Sequence, residues 1–222
     1  MARDGRLARV IIDAGHGGQD SGAIRNGVLE KDLTLDVARR VERMARANGF
    51  ATTLTRTGDE WISLAARAAA ANRERDAIFV SIHFDDGARA AATGVQTFYA
   101  VRQMPNQSRL ASWLPFLQTV ANDSPNFESQ SLAGFVQAAL VGKTQAFNRG
   151  TKAEQFYVVA NVRHPAVLVE GGFLSNSEDI GKLTTEAYRE QLAGAITDGI
   201  VRYRAMAAER GATLALGNVA TE

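Results

Sequence analysis

Residues 77–83 run Ala77-Ile78-Phe79-Val80-Ser81-Ile82-His83, a stretch of apolar and β-forming side chains without the alternation of a half-wetted strand. Such a run predicts a strand covered on both faces, as in a parallel sheet, and it sets His83 at the strand's carboxyl end. Toward the N-terminus, Val10-Ile11-Ile12 is a shorter β-branched run that stops at Asp13-Ala14-Gly15 and opens a glycine-rich loop from Gly15 to Gly22. Toward the C-terminus, Ala166-Val167-Leu168-Val169 is a third buried strand, closed by Glu170 and then Gly171-Gly172. Ala51 to Thr55 and Gly94 to Val101 add two more strands, and a short one is expected over Phe156 to Val159.

Helical patterns fill the intervals. After Glu30, the residues Leu33, Val37, Val41 and Met44 recur at helical spacing until Asn48-Gly49 supplies a stop. The alanine-rich span from Trp61 to Glu74 favours helix over strand, and Ser131 to Val141 and Thr184 to Met206 also carry helical patterns. Arg102 to Gln130 contains three of the four prolines and is the least regular part, with a helix over Ser108 to Val120 broken at Pro115. Interleaved strands and helices predict an α/β fold: a mostly parallel, mixed and twisted sheet of about six strands with helices on both faces.

With 222 residues, 45% of them hydrophobic, the chain can bury one core, so a single domain over residues 1–210 is expected, followed by a flexible tail at 211–222. A net charge of +1 gives no electrostatic reason to expect a nucleic-acid partner. The absence of cysteine excludes disulfides, thiolate metal sites and a cysteine nucleophile, so any metal must be held by histidine and carboxylate. Ala8 to Ile12, the first apolar stretch, is too short for an export signal or a membrane span.

His16 and His83, two of only three histidines, follow strands, and in open α/β sheets ligands gather beyond the strands' carboxyl ends. Glu170 arrives at the same edge on a fully apolar strand, where packing gives no reason for a carboxylate. Two imidazoles with carboxylates match the nitrogen and oxygen set of catalytic zinc, which keeps three protein ligands and one open position. Each residue taken singly has a plainer reading. A lone strand-end histidine is more often a hydrogen-bonding residue, Glu30 fits an ordinary acidic first helical turn, and His164 before Pro165 fits a solvated loop. Arg149-Gly150 and Lys152 alone suggest a charged turn. Gly15-His16-Gly17-Gly18 fails as a dinucleotide fingerprint, because position 20 is Asp where that pattern needs glycine.

Four blocks taken together carry more: Ile11-Ile12-Asp13-Ala14-Gly15-His16-Gly17-Gly18, Glu30-Lys31-Asp32-Leu33, Ser81-Ile82-His83, and Leu168-Val169-Glu170-Gly171-Gly172-Phe173-Leu174-Ser175-Asn176. In this order, over residues 10–176, they resemble the zinc-dependent N-acetylmuramoyl-L-alanine amidases of the AmiC and CwlV type. The resemblance implies that His16, Glu30 and His83 hold Zn2+, that Glu170 is the catalytic carboxylate, and that Arg149 and Lys152 stand on the substrate side. It implies peptidoglycan or a muropeptide as substrate, cut between the lactyl group of N-acetylmuramic acid and L-alanine, and a periplasmic or cell-wall location. The family commonly continues His-x-Asn where this chain has His83-Phe84-Asp85, so Asp85 bears on hydrogen bonding or substrate fit beside the site. Relatives controlled by partner proteins carry a long insertion with a helix that plugs the zinc site. The 102–130 segment is shorter, so weak or no autoinhibition is expected, and no motif calls for an activator protein. The competing readings are a zinc hydrolase of another small amide or peptide, a non-catalytic peptidoglycan-binding module, and a nucleotide-binding α/β protein.

Overall fold

The computed structural model describes residues 7–85, 91–104 and 126–219. Its main sheet has six strands in the order β4 (Ala51–Leu54), β1 (Arg9–Ala14), β5 (Ala77–Asp85), β8 (Ala166–Phe173), β6 (Val95–Tyr99) and β7 (Asn148–Ala153). The first four are mutually parallel; β6 runs antiparallel to β8 and parallel to β7. The carboxyl ends of β4, β1, β5 and β8 therefore share an edge with the amino ends of β6 and β7. This is the expected mixed, mostly parallel sheet.

Strand side chains alternate between two apolar layers. Val10, Ile12, Ile78, Val80, Ile82, Val167 and Val169 pack against α1 (Glu30–Ala47), α3 (Phe127–Thr144) and α6 (Glu186–Val219). On the other face, Ile11, Phe79, Phe98 and Leu168 meet α2 (Leu64–Arg73) and α4 (Tyr157–Ala160). α5 (Ser177–Leu183) follows β8, with Asn176 Oδ1 accepting from the N–H groups of Glu178 and Asp179 as its cap. No helix among the described residues is long and apolar enough to cross a membrane.

Three expectations are revised. Phe156 to Val159 contributes to α4 rather than a strand: Val158, Val159 and Ala160 are all buried in succession, which a helical turn in a corner allows and an alternating strand does not. Arg149-Gly150 and Lys152, which alone suggest a charged turn, belong to the edge strand β7, whose largely exposed side chains lack an apolar pattern. α6 runs on to Val219, past Met206, where the expected helical pattern ends. The helix expected over Ser108 to Val120 lies outside the described residues, as does most of the segment on which the autoinhibition reading rests.

Candidate metal centre

The loop after β1 departs from ordinary backbone conformation. His16 has φ 60°, and Gly17, Gly18 and Gly22 have φ 124°, 60° and 62°. A left-handed histidine costs about 1–2 kcal/mol, so neighbours must hold it. Two buried arginines do so. Arg67 donates to the carbonyls of Ala14 and His16, both at 2.6 Å, while Arg56 donates to those of Ala14 at 3.0 Å and Gly15 at 2.8 Å. The charge of Arg67 is met by Asp13 at 2.6 Å, and Asp13 also accepts from the hydroxyls of Thr55 and Ser81, each at 2.7 Å. Further out, Asp59 accepts from Gly18 N at 2.7 Å and from Lys31 Nζ at 2.8 Å.

Glu30 is delivered by a hairpin. β2 (Ile24–Arg25) and β3 (Val28–Leu29) are joined by Asn26-Gly27, both left-handed, and Glu30 then opens α1. Its Oε2 accepts from Ala23 N at 2.9 Å and its Oε1 from Phe84 N at 3.0 Å. The pairing of β5 with β8 shifts register between His83 and Asp85, which turns the Phe84 N–H out of the ladder toward this carboxylate. His83 lies over Gly15, where an added Cβ would sit 2.3 Å from its Cε1, so only glycine admits the ring.

These elements bring His16 Nε2, His83 Nδ1 and Glu30 Oε1 into a triangle with sides of 3.0, 3.1 and 3.2 Å. It is the one histidine and carboxylate grouping among the described residues with metal-holding geometry. On the far side of the His16 ring, Asp20 Oδ2 stands 2.9 Å from Nδ1 and attracts the ring proton there. That tautomer points a bare Nε2 lone pair at a carboxylate oxygen. Without a cation, a proton on Nε2 holds the His16–Glu30 pair together; with the proton on Nδ1 alone, two imidazole nitrogens and one carboxylate oxygen converge as a donor set that fits a metal ion.

The charges agree with this geometry. Burial works against ionised Glu30, yet hydrogen bonds and opposite charge from His16 and His83 hold its carboxyl far below the ordinary range. Burial likewise opposes protonation of His16, but Glu30 and then Asp20 outweigh it and raise its pKa. Glu170 behaves in the opposite way. Burial, reinforced by the Glu30 and Asp85 charges, pushes its carboxyl well above the usual value. It lies in register beside His83 on the neighbouring strand, and its Oε2 is buried with no hydrogen-bond partner.

The remaining sequence candidates separate. Asp85 ends β5 opposite Phe173, close enough to raise the Glu170 pKa. Arg149, at the start of β7, reaches the same sheet edge with its guanidinium carbon 4.7 Å from the Phe173 ring centre. Lys152 is set further along β7, opposite Phe98, and its Nζ pairs with Glu154 at 2.6 Å, so the fold does not bring it to the triangle. His164 is not a solvated loop residue: it packs against the end of α2, where burial lowers its pKa and leaves Nε2 unpartnered. Sequence reasoning passed over Asp13, Asp20, Arg56 and Arg67. Arg67 alone gave a signal, as a charge four residues from Ala71 on the apolar face of an alanine-rich helix.

The family profile described as N-acetylmuramoyl-L-alanine amidase, Amidase_3, matches residues 10–202. The chain belongs to this amidase family. YqiI of Bacillus subtilis is 36% identical over 194 residues, covering 87% of this chain and 84% of YqiI. The N-acetylmuramoyl-L-alanine amidase LytC of the same organism is 35% identical over 195 residues, covering 87% of this chain but only 35% of LytC. Among solved amidase structures, CwlD of Clostridioides difficile, captured in complex with the GerS lipoprotein, superposes with a TM-score of 0.76 at 28% identity, over 90% of this chain and 99% of that one.

Proposed function

We propose that this chain hydrolyses the amide bond joining the lactyl group of N-acetylmuramic acid to L-alanine in peptidoglycan or muropeptides. In this reading His16, Glu30 and His83 hold zinc and Glu170 carries the proton. The observation that supports it is the triangle of donor atoms, 3.0–3.2 Å on a side, in which two imidazole nitrogens and a carboxylate oxygen converge. Zinc bound there supplies Lewis acidity, polarising the scissile carbonyl and acidifying the attacking water.

The protein's own residues divide the rest of the work. Asp20 keeps the His16 proton on Nδ1, away from the ligand position. The N–H groups of Ala23 and Phe84 fix the Glu30 carboxylate so that it does not swing away from the two rings. Glu170 accepts the proton of the attacking water at its unpartnered Oε2, and its burial, with the Glu30 and Asp85 charges, favours the protonated form. It then gives that proton to the departing nitrogen, since an amide does not expel an unprotonated amine anion. Atoms balance as one water added across one C–N bond, with a carboxylic acid and an amine released.

A substrate of this kind places the protein's work in the periplasm or the cell wall. The test is mass spectrometry of peptidoglycan digested by the purified protein, paired with elemental analysis. Release of intact stem peptides beginning at L-alanine, with near-stoichiometric zinc, is expected. Full activity of a metal-free preparation overturns the metal assignment, and cleavage at any other bond overturns the substrate.

A further inference from the structure

The sheet edge that carries the triangle is chemically lopsided. At the β4 end stands Trp61, 53% exposed, its backbone N and Cβ packed against Gly18 of the His16 loop. Trp61, Leu64 and Val158 form the apolar wall of a cleft that His16 and His83 also line. Leu64 is 55% exposed, so with Trp61 it presents this wall to solvent, above Val158 of the core. An exposed indole rigidly seated beside a polar centre is a flat, amphipathic platform.

At the other end the antiparallel entry of β6, with β7 alongside it, brings the amino ends of both strands to the same edge. There Arg149 extends its guanidinium over Phe173. Strand spacing sets the scale. From β5, which bears His83, to β7 there are three steps, about 14 Å, which an extended peptide of about four residues spans. From β1, which bears His16, to the loop following β4 is a single step, about 5 Å, comparable with the width of one sugar ring.

The proposed substrate is lopsided in the same sense, with a neutral sugar whose C–H faces stack on aromatic rings, and a stem peptide bearing free carboxylates. We infer that Trp61 is the platform for the muramyl sugar and that Arg149 receives the acidic stem peptide, so the substrate lies across the strand ends in one direction. This inference rests on the amidase reading and adds the substrate's orientation to it.

The test compares two kinetic substrates of the zinc-loaded protein, N-acetylglucosaminyl-N-acetylmuramyl-tripeptide and the same tripeptide carrying only a D-lactoyl group, and adds calorimetric binding of the peptide-free disaccharide. Trp61→Ala is expected to lower the preference in kcat/KM for the sugar-bearing substrate about tenfold, through KM, with a similar loss in disaccharide binding. Trp61→Phe, which keeps a ring, should stay within about threefold of the parent. Arg149→Gln should raise KM on both substrates, and amidating the peptide carboxylates should abolish that difference. An equal loss on both substrates from Trp61→Ala, or unchanged disaccharide binding, overturns the platform. If the parent protein releases no peptide from either substrate yet binds the disaccharide through Trp61, the amidase reading falls and the platform stands.

Discussion

Replacing Asp13 by alanine tests whether the metal loop rests on a buried charge pair. Asp13 is fully buried and accepts from Arg67, Thr55 and Ser81, while Arg67 is 3% exposed. Asp13→Ala strands a guanidinium out of water without its counter-charge, a loss of about 3–5 kcal/mol. Against a total of about 5–15 kcal/mol for a natural domain, that is about a fifth or more of the stability. With a urea slope of about 2 kcal/mol per molar, the unfolding midpoint of the metal-free protein should fall by about 1.5–2.5 M. The assay is equilibrium unfolding of the single variant and of Asp13→Ala/Arg67→Met, which removes both charges and should recover at least half of the loss. A single variant within about 1 kcal/mol of the parent, or a double variant no better than the single, refutes the reasoning.

Other outcomes follow from the same geometry. Glu170→Gln should retain metal and lose about 10²–10⁴-fold in kcat, measured on muropeptides. Because the Glu170 carboxyl is raised by burial and by Glu30 and Asp85, the folded state holds its proton more tightly, so parental stability declines as pH rises above the ordinary carboxyl range. Metal-free Glu170→Gln should accordingly be more stable than the parent at about pH 8, with the difference closing below about pH 4, as read from melting curves. Gly15→Ala puts a Cβ 2.3 Å from the His83 ring without demanding an unusual φ, so the fold should persist while zinc affinity, read by chelator competition, falls at least about tenfold. Zinc at about 100 times its Kd should stabilise the parent by about 2.7 kcal/mol, a rise in Tm of about 5–11 °C. His83→Ala should show no such rise.

The parts of the site that sequence alone made legible are those at strand ends. His16 follows an apolar run and His83 and Glu170 each close one, where packing gives no reason for an imidazole or a carboxylate, although β5 and β8 themselves run on to Asp85 and Phe173. Glu30 was not legible by itself, because a glutamate at the start of a helix serves the helix equally well; only the joint resemblance of four blocks singled it out. Asn26-Gly27 between Ile24 and Val28 is a strong hairpin signal, but strands of two residues are too short to show alternation. Edge strand β7 escaped because its side chains face solvent, and α4 because four apolar residues fit a strand and a helical turn equally well. Asp13 sits in a run that otherwise looks uniformly apolar. Its role depends on Arg67, 54 residues away, which no local pattern connects.

The two arginines that clamp the His16 loop bind its carbonyls and are separate from the three atoms of the donor triangle. Shape and chemistry are thereby uncoupled in this corner of the protein. Lineages that exchange a ligand or Glu170 can keep the loop's form intact, so descendants with silent active sites and unchanged outlines are an easy evolutionary step. Losing either guanidinium removes hydrogen bonds that hold that form.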